Sequence, residues 1–197
     1  MRARWMWFGL LVAVLVIVAL WRRGQGTKRE PEVPLPPRPA EVGEAWAATV
    51  LFDSFELKMP GSWFENPERA MEHGILFRGP PDGVHPPTVQ LYWGPVKVDL
   101  EGFFEFERER RVPGIQDILE EGEATIAGLP ARYLVYEQRS KMPGSVREVQ
   151  FLTIDWYFVH DGHGGILRGL APAQTFRLKY RPIFTEIAKR LRYRPSR

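Results

Sequence analysis

Residues 123–170 read EATIAGLPARYLVYEQRSKMPGSVREVQFLTIDWYFVHDGHGGILRGL. Five runs in this stretch carry strand character: Glu123–Ala127, Arg132–Arg139, Val146–Ile154, Trp156–His160 and Gly165–Leu170. Within Val146–Ile154, Val149, Phe151 and Thr153 fall on one face, and Gln150, Leu152 and Ile154 on the other, because side chains alternate along a strand. Gly128-Leu129-Pro130 reads as a turn, and a glycine-rich turn separates the last two runs. Turns this short can join only antiparallel neighbours, since parallel strands need a long crossover. The stretch therefore predicts a mostly antiparallel sheet.

Working outward, Phe55-Glu-Leu-Lys-Met59 alternates apolar and charged residues, the mark of a half-buried strand, and Pro60-Gly61 ends it. Asn66 reads as an N-cap with Pro67 in the first turn, giving a short helix Pro67–His73 stopped at Gly74. Gly74–Arg78 and Thr88–Trp93 read as strands. Asp99 caps a second helix carrying Leu100, Phe103, Phe104 and Glu107, which Pro113-Gly114 closes. Phe176, Tyr180, Phe184, Ile187 and Leu191 recur at helical spacing, with Pro182 expected in the first turn of that helix. A sheet with helices before, within and after it predicts an α+β layered domain over 46–194.

The chain has 197 residues, with 27 Lys+Arg against 24 Asp+Glu. Residues 1–44 hold seven of the basic and four of the acidic residues, which leaves 20 of each in 45–197. The domain is neutral, and a neutral domain disfavours nucleic acid as a partner. One local exception is 177–197, with eight basic residues and the single acid Glu186; it reads as a solvated helix face or as a contact for acidic lipid or protein. Cysteine is absent, which excludes disulfides, thiolate zinc sites and a cysteine nucleophile.

Residues 5–21 read WMWFGLLVAVLVIVALW, without a charge. Seventeen helical residues span about 25 Å, enough for a bilayer with help from the flanks. Trp5, Trp7 and Trp21 stand where indoles favour the headgroup region, and Arg4, Arg22 and Arg23 can reach outward. A transmembrane signal-anchor helix over 5–21 is expected, behind a short tail 1–4. A buried core helix would not account for aromatics and arginines at both ends. A cleaved signal peptide would have a shorter apolar run and a small-x-small site. Charge is nearly balanced across the span; the short tail favours an extracytoplasmic domain. Residues 22–45, with Pro31, Pro34, Pro36, Pro37 and Pro39, read as a polyproline II stalk rather than a proline-motif ligand.

Three stretches are similar to the PsbP-like fold family. Phe55-Glu-Leu-Lys-Met-Pro-Gly-Ser-Trp63 resembles its opening strand, Ile126-Ala-Gly-Leu-Pro-Ala-Arg-Tyr133 its central hairpin, and Tyr180-Arg-Pro-Ile-Phe-Thr-Glu-Ile187 its closing helix. They span the domain from about residue 50 to 193. The resemblance implies an α/β/α sandwich around an antiparallel sheet. Its members include extrinsic photosystem subunits, a partner of a nuclear-transport GTPase and anchored bacterial envelope proteins. The resemblance thus implies docking to another protein rather than catalysis, and it carries over no active-site residue.

His160-Asp161-Gly-His163 puts two imidazoles and a carboxylate within four residues, a possible start for a metal site. A structured site needs three or four ligands, and Asp161-Gly162 also has the chemistry of a hairpin turn. His163-Gly164-Gly165 resembles an oxyanion-hole loop, but the G-x-S-x-G nucleophile elbow is missing. Leu167 stands where a dinucleotide fingerprint needs its third glycine, and no phosphate-binding loop occurs. No cofactor is expected. Glu105, Glu107 and Glu109, and Glu120, Glu121 and Glu123, read as solvated faces before they read as acid–base pairs. Trp46, Trp63, Trp93 and Trp156 read as core or rim. The expectation is a membrane-anchored, noncatalytic protein-docking module of the cell envelope. The other reading is a small-molecule carrier or sensor with an apolar pocket between sheet and helix.

Overall fold

A computed structural model of the chain describes Trp46 and residues 48–66, 73–81, 85–111, 117–141 and 148–194. The expected span 5–21, the stalk 22–45, the helical residues 67–72 and the Pro113-Gly114 stop lie outside the described residues. Among the described residues no helix is long and apolar enough to cross a membrane.

The order is β1 (Ala48–Phe52), β2 (Phe55–Met59), β3 (Phe64–Glu65), β4 (Gly74–Arg78), β5 (Thr88–Pro95), α1 (Leu100–Arg111), β6 (Asp117–Ile126), β7 (Leu129–Lys141), β8 (Glu148–His160) and β9 (His163–Pro172). A helical turn α2 (Ala173–Thr175), a π-helical turn Phe176–Tyr180, α3 (Arg181–Arg190) and β10 (Arg192–Tyr193) complete it. Seven strands pair in the order β3-β4-β5-β9-β8-β7-β6, and β1-β2-β10 form a second, smaller sheet. Every pairing is antiparallel. Antiparallel sheets with a few helices make this an α+β domain.

Strand alternation divides the core in two. On one face Leu134, Tyr136, Tyr157 and Ile166 pack under Phe103 and Phe104 of α1. Arg132 holds that helix down: its Nη1 donates to both Glu101 oxygens (2.8 and 2.7 Å) and its guanidinium lies 4.6 Å over the Phe104 ring. Asp99 starts the helix as expected, accepting from the Gly102 amide at 2.9 Å. On the other face Val135, Ile154, Trp156, Phe158 and Leu167 join Phe176, Tyr180, Phe184 and Ile187, together with Phe55, Leu57 and Met59 of the small sheet. Trp63, Trp93 and Trp156 are buried here and Trp46 packs at the margin.

Four expectations need correction. The two runs Val146–Ile154 and Trp156–His160 are one strand; Asp155 continues the ladder opposite Leu134 and Arg168, although it is fully buried. Its charge finds partners across the strands, so no break is required. The turn is not Gly128-Leu-Pro130 but Ala127-Gly128, both at positive φ (53° and 83°). Leu129 and Pro130 already belong to β7, where Pro130 pairs only with Thr125 of β6 and so needs no N–H towards β8. β6 begins at Asp117 rather than Glu123, because an edge strand can carry its acids on solvated sides. The last helix is interrupted: Phe176 and Tyr180 sit in the π-helical turn, and Pro182 opens α3. Of the small sheet only β2 is foreseen; β10, like β3 at the edge of the large sheet, has two residues, too few for any period.

Candidate functional site

The chemistry of the domain gathers on the α1 face of the large sheet. Asp155 is 0% exposed, a position where an ionised carboxylate survives only if fully partnered. Arg168, its cross-strand neighbour, donates from Nε to Oδ1 (2.8 Å) and from Nη2 to Oδ2 (3.0 Å). The hydroxyls of Tyr136 and Tyr157 donate to Oδ2 at 3.1 and 3.0 Å. Alternation explains the grouping: Tyr136, Asp155, Tyr157 and Arg168 all stand on the same face in adjacent strands.

Beside this cluster, α1 and the β5–β9 pair enclose a cleft of 410 Å³. Tyr92, Val96, Phe103 and Ile166 supply apolar walls, and Arg168, Glu107, Arg110 and His73 supply polar ones. Phe103, Glu107 and Arg110 face it together because residues three and four apart share a helix side. Glu107 is buried and accepts from Arg110 Nη2 at 2.8 Å. Gly164 lets the helix come this close; a Cβ there would stand 2.8 Å from Val96 Cγ1 and 2.9 Å from Phe103 Cζ.

The histidines expected as metal candidates lie on the opposite face. His160 and His163 pair across the β8–β9 hairpin, whose turn residues Asp161 and Gly162 have φ of 47° and 71°. His160 Nε2 is 3.2 Å from Asp161 Oδ2, and its ring meets Tyr193 edge-on at 4.7 Å. His163 stacks on Trp93 at 5.4 Å, and its Nδ1 lies 3.0 Å from the Asp161 carbonyl. Among the described residues no three His, Cys, Asp or Glu are grouped to hold a metal ion. Arg4, Trp5, Trp7, Trp21, Arg22 and Arg23 lie outside the described residues.

The acidic run of β6 is split by the pleat. Glu121 approaches Arg108 of α1 (3.7 Å), while Glu120 reaches α3, accepting from Arg181 Nη2 (2.7 Å) and from the Tyr133 hydroxyl (2.8 Å). The Arg181 hydrogen bond, then that from Tyr133, holds the Glu120 carboxyl below its ordinary value of 4.5. Its contribution to stability is present above that value and is lost as pH falls through the lower, folded one. Both side chains are more than a third exposed, so screening limits the contribution to under about 1 kcal/mol. In Glu120→Gln the difference in urea midpoint between pH 6 and pH 3 shrinks slightly; an unchanged difference would refute the assignment.

Asp155 and Arg168 were the readable signals that sequence reasoning passed over. Each is a lone charge in an otherwise apolar strand run, FLTIDWYFV and GGILRGL, and such charges are buried only with partners. That the two meet follows from register, which neither run contains.

No protein-family model matches the chain, and no curated protein matches it in sequence. The solved structures similar to it include the following three. LpqN, involved in cell envelope biogenesis of Mycobacterium tuberculosis, is 19% identical over 72% of this chain and 83% of its own, with a TM-score of 0.52. PA94 from Pseudomonas aeruginosa, a protein of unknown function, is 11% identical over 76% and 98%, with a TM-score of 0.52. The cyanobacterial PsbP (CyanoP) of Synechocystis sp. PCC 6803 is 11% identical over 74% and 90%, with a TM-score of 0.50. The chain has a PsbP-like fold. None of the three is named as an enzyme.

Proposed function

We propose that the chain is a noncatalytic docking module of the cell envelope, tethered by a transmembrane helix over 5–21, with the cleft beside α1 as its partner site. The observation that carries this reading is the state of the cleft's charges. Arg168 is committed to Asp155 and Glu107 to Arg110, so the cleft presents fixed polar walls and an apolar floor rather than an activated acid or nucleophile. Such a surface suits an extended protein segment that buries one apolar side chain between Tyr92 and Phe103. LpqN, a protein of the same fold, is involved in cell envelope biogenesis, which supports the envelope setting. Helix α1 on one face and α3 on the other support the α/β/α reading of the layers.

A photo-crosslinking residue at Val96, on the partly exposed cleft wall, tests the proposal in intact cells. A discrete adduct larger by the mass of a protein is expected, absent when the same residue stands at Leu119 on the far edge strand. The second reading, a small-molecule carrier, draws on the cleft volume of 410 Å³, within the range of ligand pockets. No protein adduct from Val96, together with a co-purified small molecule in native mass spectra, would replace docking with carriage.

A further inference from the structure

We infer that the outer face of the small sheet is a contact surface for anionic phospholipid headgroups. Lys58, Arg190, Arg192 and Arg194 line a second concavity, of 470 Å³, whose acid is Glu56. Glu56 is already paired with Arg194 and Glu186 with Arg190 (2.8 Å), so four cations against two carboxylates leave a formal charge of +2 on this patch of a neutral domain. Register puts Leu51, Glu56 and Arg192 abreast on the outer face, with Lys58 two residues from Glu56 and on the same side. Leu51 protrudes there with 68% of its surface exposed. Cations flanking one side of a projecting apolar side chain suit a bilayer interface, where headgroups take the charge and the acyl boundary takes the leucine.

The upstream chain selects the occupant. Trp46, the first described residue, lies beneath the Arg190 guanidinium at 4.3 Å, so the polypeptide reaches the domain beside this patch. Residues 1–45 lead to it, and they include the uncharged run Trp5–Trp21. The inference rests on the reading of that run as a membrane anchor; given the anchor, a lipid surface is tethered to the domain within the reach of the stalk. Each Lys or Arg brought to an anionic surface favours the docked state by about fivefold, and salt weakens it.

The chain has no cysteine, so a single label can be placed without background. The full chain carrying Leu51→Cys with a fluorophore is reconstituted into vesicles containing a nitroxide-headgroup lipid. The expected result is quenching in vesicles with phosphatidylglycerol, loss of quenching in pure phosphatidylcholine or in 0.5 M salt, and none for a label at Leu119→Cys. Lys58→Glu with Arg192→Gln should cut the quenched population ratio at least tenfold; Lys58→Glu alone, which leaves the Arg192 contacts to the Lys189 and Leu191 carbonyls intact, should cut it less. Vesicle flotation without quenching in phosphatidylglycerol would overturn the surface while keeping the anchor. Equal quenching in phosphatidylcholine, or salt-sensitive emission in neutral micelles caused by the chain's own stalk acids, would also overturn it. Failure to float with phosphatidylcholine would remove the anchor instead. Flotation with phosphatidylglycerol alone, abolished by Lys58→Glu, would then still establish the surface, and no flotation with either lipid would refute both.

Discussion

Asp155→Ala lowers the stability of the domain by about 3–5 kcal/mol, the cost of removing one partner from a buried ion pair. The substitution leaves the Arg168 guanidinium facing a cavity and takes the acceptor from the hydroxyls of Tyr136 and Tyr157. Desolvation makes the loss asymmetric: the pair itself adds little net energy, but an orphaned buried charge is expensive. Replacing both members by apolar residues, as in Asp155→Leu with Arg168→Met, therefore recovers much of the loss, and the remainder belongs to the two tyrosines. Urea unfolding of the full chain in mild detergent, followed by tryptophan fluorescence, measures both. A loss below about 1 kcal/mol in Asp155→Ala, or a double variant less stable than the single one, would show that the cluster is not what joins β7, β8 and β9 on that face.

Phe184→Ala is expected to cost a further about 3–5 kcal/mol by a different mechanism, the opening of a cavity under α3. Phe184 is buried, with Trp63, Phe176 and Tyr180 around it at ring separations of 6.2, 6.0 and 6.1 Å. It reaches the sheet because Gly169 has no side chain; a Cβ at that position would fall 2.5 Å from the Phe184 ring. Gly169→Ala should thus cost about 1–3 kcal/mol through overpacking. Combined with Phe184→Leu it should cost less than the sum of the two changes, since they share one space. Strict additivity of the two changes in thermal unfolding would mean that α3 tilts away from the sheet rather than resisting.

Much of the fold was legible where a short-range rule had no rival. Phe55–Met59 and Gly74–Arg78 have the bounds the sequence predicts, because alternation or strong β-formers end at Pro and Gly punctuation. Asp99 announced its helix for a similarly local reason, a side-chain acceptor followed by apolar residues at helical spacing. The misreadings fall where a distant partner overrides the local signal. Asp155 looked like the end of a strand until Arg168, thirteen residues on, supplied its counter-charge. Pro130 looked like part of a turn until its place at the β7 terminus left it with no hydrogen bond to lose on the β8 side.

The candidate sites divide in the same way. Residue types and spacing by themselves determined the antiparallel character of the sheet, the helix start at Asp99, the neutrality of residues 45–197 and the absence of thiol chemistry, because each depends on neighbours a few residues away or on counting alone. Tertiary structure alone decided that His160 and His163 share a face with Trp93 and Tyr193 rather than with the buried acid. It also decided that Phe103, Glu107, Tyr92 and Arg168 enclose one cleft, and that Leu51, Lys58 and Arg192 share one surface. Strand register sets these meetings, and register depends on which faces bury together across the whole sheet, a quantity no single stretch of sequence carries.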